Sequence, residues 1–238
     1  MTQQIELIDV ALSFVPVSVV LFLMYRSKMP VTGPTISIAR MLLQLMVVGY
    51  ALLWVFQQAS PLFITLLIFL MMLIASWLAL NVVKTKTVVL FRHALISILI
   101  GSGLVLIFIT QGVLRIEPWY NPQYLIPLGG MLFSSSMTAI SLALERFVAE
   151  LEYHTVASAK NIAIKAAMIP VINSMLAVGV VSLPGMMTGQ ILSGVEPYIA
   201  ARYQILVMTM VFSATGLTVF VFMYLLAKTN LSYLKSKN

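Results

Sequence analysis

The chain has 238 residues, of which 61% are hydrophobic and only 9% are charged, with a net charge of +7. This composition excludes a soluble domain of this size, and the absence of cysteine excludes disulfides and thiolate metal sites. The basic residues lie in short segments between apolar runs, so the charge does not indicate a nucleic-acid partner. The apolar runs are continuous and lack the alternation of a membrane barrel, which predicts an all-α polytopic membrane protein.

Seven apolar stretches are each long enough to cross a bilayer as a helix, which needs about 20 residues. In chain order they cover residues 5–25, 36–57, 62–81, 94–114, 124–144, 168–192 and 203–227. We expect them to form a single transmembrane domain over 1–238. Small residues on two of the spans, Ser97 with Gly101 and Gly130 with Ser134 and Thr138, favour close helix packing.

The distribution of basic residues predicts the orientation, because cytoplasmic loops carry an excess of Lys and Arg. With the N-terminus outside and the C-terminus inside, only Arg115 and Arg202 of the 14 basic residues lie on the outer side. The inner side then holds Arg26, Lys28, Arg40, Lys84, Lys86, Arg92, Arg146, Lys160, Lys165, Lys228, Lys235 and Lys237. The protein is therefore expected in a plasma membrane, with its C-terminus in the cytoplasm.

The longest segment between spans, 145–167, has the pattern of an amphipathic helix. Leu144, Val148 and Leu151 follow helical spacing on one face. The other faces carry Glu145, Arg146, Glu150 and Glu152. Two interpretations remain open, a helix lying in the headgroup layer or a docking helix for a cytoplasmic partner.

The stretch 168–192 is the most unusual of the predicted spans. Pro184 followed by Gly185 predicts a break or kink in its outer half, and Gly185 with Gly189 forms a GxxxG pattern that favours close packing. The polar residues and the break together define a candidate pathway or gate: Asn173, Ser174, Ser182, Pro184, Gly185, Thr188, Gly189 and Gln190. A purely structural kink is the alternative interpretation.

No complete catalytic motif is present in the sequence. It lacks GxxxxGK[ST], HExxH and GxSxG, so we expect neither ATP hydrolysis nor another catalytic activity from this chain. The two histidines, His93 and His154, are far apart, and the 16 methionines are scattered over most spans. Met is a flexible packing residue, so packing is favoured over a soft-metal path, and no metal ligands are assigned.

The residues from Pro170 to Ser174 and from Ser182 to Gly194, followed by Ala201–Ile205, resemble the signature of the FetB-like ABC transporter permeases. Bacterial members of that family are assigned to iron export, and plant relatives are linked to aluminium tolerance and UDP-glucose export. The resemblance implies a permease homodimer in the bacterial inner membrane. It also implies two copies of a separate cytoplasmic ATPase, which would bind ATP and magnesium.

In this resemblance the segment 145–167 couples the ATPase to the spans through Glu145, Arg146, Glu150 and Glu152. The chain differs from the family pattern where an Ala/Gly-rich turn is usual, since Glu152–Ser158 contains no glycine. Three alternatives to iron export remain: export of another solute such as UDP-glucose, a non-transport scaffold for an ATPase complex, and an intramembrane enzyme. The few basic groups inside the predicted spans favour a cation or a small neutral solute over a phosphate-bearing substrate.

Overall fold

The computed structural model describes residues 6–57, 60–83 and 86–229. Every regular element in these ranges is a helix, apart from one isolated bridge between Val178 and Ser182. The predicted all-α membrane fold is therefore confirmed. The chain divides into two compact units, residues 1–58 and 59–238. The single transmembrane domain over 1–238 stays a prediction.

The described part of the first unit, 6–57, holds the helices α1 (Leu7–Leu12), α2 (Phe14–Arg26) and α3 (Thr32–Gln57). A capping box starts α1, in which the backbone N–H of Glu6 donates to Asp9 Oδ2 at 3.1 Å. The chain turns after α2 at Lys28, whose φ of 57° lies in the left-handed region. This turn allows α3 to begin at Thr32.

The described part of the second unit, 60–83 and 86–229, contains seven α-helices. They are α4 (Pro61–Leu78), α5 (Val88–Ile98), α6 (Leu104–Ile107), α7 (Pro122–Glu150), α8 (Val156–Ala177), α9 (Gly185–Leu192) and α10 (Pro197–Ala227). Four of them begin at a side chain that accepts a hydrogen bond from a first-turn backbone N–H, which satisfies a donor the helix leaves free. These side chains belong to Ser60, Thr87, Asn121 and Thr155.

Two π-helical stretches, Leu99–Gly103 and Phe108–Val113, lie on either side of α6. Together with α5 and α6 they form one membrane-length segment, Val88–Val113. The first π-helical stretch packs closely against α10. A Cβ placed on Gly101 would lie only 2.5 Å from the backbone nitrogen of Thr218, so the two backbones meet at a position where only glycine fits. The close packing predicted at Gly101 is thus confirmed.

The core of the second unit is centred on α7. Its fully buried side chains recur at three- and four-residue intervals along one stripe: Leu128, Leu132, Ser136, Ile140, Leu144 and Phe147. Helices α4, α8 and α10 all pack against α7. The helix α7 therefore holds in place the elements that carry the candidate site.

Six helical segments of the described ranges are long and apolar enough to cross a membrane. They are Ile8–Arg26, Thr32–Gln57, Pro61–Val82, Val88–Val113, Pro122–Glu150 and Pro197–Ala227. Six of the predicted spans fall on them, namely 5–25, 36–57, 62–81, 94–114, 124–144 and 203–227, of which residue 5 lies outside the described ranges. The orientation stays a prediction, and three residues of its inner-side basic set, Lys84, Lys235 and Lys237, also lie outside the described residues.

The predicted span 168–192 is divided between two helices. The helix α8 ends at Ala177, and α9 does not begin until Gly185. The predicted break is present, but it starts at Val178, six residues before Pro184, which directly precedes α9. A turn with Gly179 at φ 82° ends α8, because the left-handed conformation does not continue a helix.

The amphipathic helix predicted over 145–167 is wrong as one element. Residues up to Glu150 are the last turns of α7, and residues from Val156 are the first turns of α8. A short turn at 151–155 separates them, because Thr155 adopts an extended conformation and caps α8. The charged residues of the segment therefore lie around a helix–turn–helix connection.

Candidate functional site

The turn between α7 and α8 is organised around the carboxylate of Glu150. Its Oε1 lies 2.5 Å from a guanidinium nitrogen of Arg146, one helical turn earlier. Its Oε2 lies 3.1 Å from Nε2 of His154, four residues later. The Glu150 carbonyl also accepts the backbone N–H of His154 at 2.9 Å. One residue thus connects the end of α7 to the turn that follows it.

The same turn combines buried anchors with an exposed tip. Phe147 and Leu151 are buried in the core, so the backbone on either side of Glu150 is fixed by packing. Tyr153 is 80% exposed at the tip, and the predicted coupling residues Glu145 and Glu152 are also exposed. The four predicted coupling residues therefore lie close together in the chain around one anchored turn, although not on one helix.

The break between α8 and α9 is a compact turn rather than an open loop. The carbonyl of Ala177 accepts the backbone N–H groups of Val181 and Ser182, at 2.9 and 3.0 Å. The backbone N–H of Gly179 donates back to the carbonyl of Ser182 at 3.0 Å, which closes the turn. Asn173, at the end of α8, and Ser182 both have exposed side chains.

The short helix α9 carries the remaining predicted gate residues. The Thr188 hydroxyl donates to the carbonyl of Pro184 at 3.2 Å, so it satisfies a backbone group at the start of the helix. Gly185 and Gly189 are exposed, and a Cβ on either would meet nothing within 4 Å. The close packing expected at this GxxxG pattern is therefore absent within the described chain. Gln190 differs, because its side-chain oxygen is buried without a hydrogen-bond partner.

An open cleft of about 230 Å³ lies between α7, α8 and α10. Its lining includes four hydroxyl side chains, those of Ser135, Thr138, Ser174 and Thr215. Ser174 is the predicted pathway residue that reaches this cleft. Thr215 is 2% exposed, and its hydroxyl has no hydrogen-bond partner within the described protein. Unpartnered buried hydroxyls are rare in folded proteins, which makes this cleft a feature of interest.

A second group of hydroxyls, deeper in the same unit, is fully satisfied. Ser102, Ser136 and Thr218 come from the first π-helical stretch, α7 and α10 respectively. Their oxygens lie 2.7 Å apart for Ser102 and Ser136, and 3.2 Å apart for Ser136 and Thr218. This hydroxyl triangle joins the first π-helical stretch, α7 and α10 near the point where Gly101 allows the π-helical stretch to approach α10. It indicates that these helices cross rigidly.

Sequence reasoning missed the contact of His154 and the hydroxyl positions of Ser102, Thr215 and Thr218. For His154, the four-residue spacing from Glu150 was a signal for a local contact. Thr215 and Thr218 gave no signal, because an isolated threonine in an apolar helix does not show which neighbour it will face. Across 6–57, 60–83 and 86–229, no three His, Asp or Glu side chains cluster in a way that could hold a metal ion.

Comparison with known proteins identifies the family. A model of an uncharacterised protein family, UPF0014, matches residues 7–158 and 153–231. The chain belongs to the UPF0014 family. A UPF0014 membrane protein of Synechocystis is 38% identical over 188 residues, covering 72% of this chain and 73% of the relative. No solved structure matches the chain.

Two further relatives of this UPF0014 protein have names that describe a role. A protein of Escherichia coli named "Probable iron export permease protein FetB" is 29% identical, covering 91% of this chain and 89% of the relative. The Arabidopsis thaliana protein named "ALUMINUM SENSITIVE 3" is 30% identical, covering 86% of this chain and 80% of the relative. The resemblance to FetB-like permeases is thereby confirmed, and the chain is an integral membrane protein.

Proposed function

We propose that this chain is the membrane-spanning permease subunit of an ABC exporter. It acts as a homodimer in the bacterial inner membrane, with two copies of a separate cytoplasmic ATPase that binds ATP and magnesium. The family and the name of the Escherichia coli relative support an export permease. The orientation given by the basic residues then assigns the α7–α8 turn to the cytoplasmic side and the break between α8 and α9 toward the outer side.

The observation that carries the proposal is the position of α8 between these two features. It begins directly after the α7–α8 turn and ends directly at the break, without interruption over 22 residues. At about 1.5 Å per residue such a helix is roughly 33 Å long, close to the roughly 30 Å of a bilayer core. A displacement of the turn by an ATPase would therefore be transmitted along α8 to the break.

The proposed coupling surface is the α7–α8 turn. Its tip offers an exposed aromatic ring at Tyr153, next to the exposed Glu152, and the buried Phe147 and Leu151 anchor the turn to the core. Aromatic anchors held on a rigid support are typical of the residues that carry binding energy in protein interfaces. The ATPase would bind this tip and move α7 and α8 together.

The proposed gate is the segment from Asn173 to Gln190. Broken helices in transporters expose backbone groups and act as hinges near the substrate pathway. Here the break is closed by a small set of backbone hydrogen bonds onto one carbonyl, that of Ala177. Such a turn can open and close at a small cost, because few contacts change.

The proposed substrate is a metal cation, with iron as the first candidate from the name of the Escherichia coli relative. The first experiment is to purify the chain from native membranes in mild detergent and identify, with stoichiometry, the proteins that accompany it. A P-loop ATPase at one copy per chain is the expected result. Recovery of the chain without any ATPase, in several detergents, would contradict the proposal and favour a scaffold or a stand-alone carrier.

Coupling is tested with Tyr153→Ala in the purified complex reconstituted into liposomes. We expect substrate-stimulated ATPase activity and export to fall by at least tenfold, since the exposed ring has no role in the fold that its loss would damage. The matched control is Tyr198→Ala, a tyrosine that is 58% exposed on the proposed outer side. Equal export and equal ATPase activity of Tyr153→Ala and Tyr198→Ala would refute a role of the α7–α8 turn in coupling.

The gate is tested with Pro184→Ala and Gly185→Leu. A side chain at Gly185 meets nothing within 4 Å, so both variants should fold, and we expect export to be lost. The matched control is Gly33→Leu, at the start of α3, where an added Cβ also meets nothing. Wild-type export by both gate variants would refute a gating role for the break.

A further inference from the structure

An open groove lies between the first turns of α8 and the last turns of α10. It has a volume of about 370 Å³, and its lining residues are Lys160, Asn161, Ile164, Phe220, Val221 and Tyr224. Three of these residues lie on α8 and three on α10, and the two helices pack against each other. None of them belongs to the α7–α8 turn, to the break or to the cleft beside Thr215.

The lining of this groove combines a positive charge with an apolar surface. Lys160 supplies an ammonium group, Asn161 an amide and Tyr224 a hydroxyl, while the other lining side chains are apolar. None of the described residues that line the groove is acidic. Both ion pairs of the described chain involve Glu150, so no described carboxylate pairs with Lys160. The groove therefore favours an anion that also carries an apolar part.

A second ammonium group lies at the same end of α10. Lys228 directly follows the helix, and its Nζ donates a hydrogen bond to the hydroxyl of Tyr224. The same Nζ lies 4.2 Å from the centroid of the Tyr224 ring. Because Tyr224 lines the groove, these contacts hold a second positive charge beside it, in addition to that of Lys160.

The groove lies where α10 reaches the end of a membrane-length segment, Pro197–Ala227. Tyrosine is enriched at the membrane interface, and lysine near the end of a span extends its ammonium group to the headgroups. Phe220 is 60% exposed and Tyr224 is 53% exposed, so the described protein does not cover this side of the groove. Under the orientation of the proposed function it opens at the cytoplasmic leaflet, whose anionic lipids attract basic residues.

We propose that this groove binds the headgroup of an anionic glycerophospholipid. The phosphodiester accepts hydrogen bonds from Lys160, Lys228 and the amide of Asn161, and the apolar side chains contact the glycerol and the start of an acyl chain. The volume of about 370 Å³ equals that of roughly twelve waters at about 30 Å³ each, so such a headgroup fits. A free phosphate would leave the apolar surface uncovered. The inference rests on the proposed function only for the leaflet that supplies the lipid.

Binding is measured by native mass spectrometry of the full chain in detergent micelles, with phosphatidylglycerol as the probe and phosphatidylcholine as the net-neutral comparison. We expect phosphatidylglycerol to bind at one per chain and phosphatidylcholine to bind at least tenfold more weakly. Lys160→Gln and Lys228→Gln should each weaken binding about fivefold, equivalent to the roughly 1 kcal/mol that one basic residue contributes at an anionic membrane surface. The matched control is Lys165→Gln, an exposed lysine of α8 that does not line the groove.

Thermal unfolding separates lipid binding from a structural role of the lysines. Without added lipid, both lysine variants should have the Tm of the wild type. Added phosphatidylglycerol should raise the Tm of the wild type more than that of either variant, because a ligand that binds only the folded protein stabilises it. Equal lipid binding by the wild type, Lys160→Gln and Lys228→Gln would overturn the proposal. Displacement of the lipid by an equal concentration of glycerol phosphate would also overturn it, since the site would then bind a free anion.

The same preparation distinguishes this inference from the proposed function, because lipid binding is measured on the chain alone. Lysine-dependent lipid binding by a chain that recovers no ATPase supports the groove and contradicts the permease assignment. An accompanying ATPase without lysine-dependent lipid binding retains the permease and overturns the lipid site. Loss of the ATPase from Lys160→Gln, with lipid binding unchanged, would assign the groove to the ATPase interface and overturn the lipid site.

Discussion

Gly101→Ala should strongly destabilise the second unit. Its added methyl group would lie 2.2 Å from the hydroxyl oxygen of Thr218 and 2.5 Å from the backbone nitrogen of the same residue. Contacts this short do not occur between real atoms, and a rotation of the Thr218 side chain relieves only the first of them. The crossing of the π-helical stretch and α10 must therefore widen, which also separates the hydroxyl triangle of Ser102, Ser136 and Thr218.

The magnitude follows from comparison with Gly103→Ala in the same π-helical stretch. There the new methyl group would lie 3.6 Å from the nearest atom, Cε of Met72, which is an ordinary contact. Both substitutions gain about 1 kcal/mol of helix propensity, so this term cancels between them. Overpacking costs about 1–3 kcal/mol and occasionally more. We expect Gly101→Ala to be less stable than Gly103→Ala by about 3 kcal/mol.

The assay is reversible unfolding in mixed detergent micelles with increasing dodecyl sulfate, followed by circular dichroism. A double variant, Gly101→Ala with Thr218→Ala, sharpens the test. Removing the hydroxyl should recover little stability, because the backbone nitrogen at 2.5 Å remains. Equal stabilities of Gly101→Ala and Gly103→Ala would refute the close crossing, and full recovery in the double variant would refute the backbone contact.

Three further variants, two of them with a comparison variant, test other parts of the fold in the same unfolding assay. Ser136→Ala should cost about 1 kcal/mol, since it removes the hydroxyl that bonds to two buried neighbours. Gly179→Ala should cost about 1–2 kcal/mol because of its φ of 82°, whereas Gly185→Ala should cost nothing measurable. Glu150→Gln should cost less than about 1 kcal/mol but lower ATPase coupling more than Glu145→Gln; a larger loss of stability would mean that the turn itself has unfolded.

Hydropathy was sufficient to locate six of the membrane-crossing helices, because each must satisfy its own backbone in lipid and so needs a continuous apolar run. The helices nevertheless extend beyond the apolar runs. The predicted span 124–144 corresponds to a helix from Pro122 to Glu150. Its extra turns come from an Asn121 cap at one end and good helix formers at the other, neither of which hydropathy measures.

The division of the predicted span 168–192 and of the predicted helix 145–167 has one physical cause. Apolar residues between Ala177 and Pro184 continue the hydropathy of a span, yet the backbone turns at Gly179. Charged residues of 145–167 follow a helical pattern through Glu150, yet the helix ends there and α8 begins at Val156. In both places a local turn interrupts the helix that the sequence pattern predicts. The periodicity of apolar residues shows which face of a helix is buried, but not where the helical backbone hydrogen bonds end.

The candidate cleft could not be predicted for a different reason. Ser135 and Ser136 are neighbours on α7, but Ser136 is buried in the satisfied hydroxyl triangle and Ser135 lines the cleft. Thr215 and Thr218 on α10 divide in the same way. In the sequence, all four residues are small polar side chains within apolar helices, and nothing distinguishes them. Only the rotation of α7 and α10 against their neighbours decides which hydroxyl is paired.

That division makes the unpaired hydroxyl informative. Thr218 stabilises the crossing, since its oxygen lies 3.2 Å from that of Ser136. Thr215, one turn away, contributes no such bond, and its burial costs free energy in the described protein. Because α8 packs against both α7 and α10, a change in how these helices cross would also move the helix that joins the α7–α8 turn to the break.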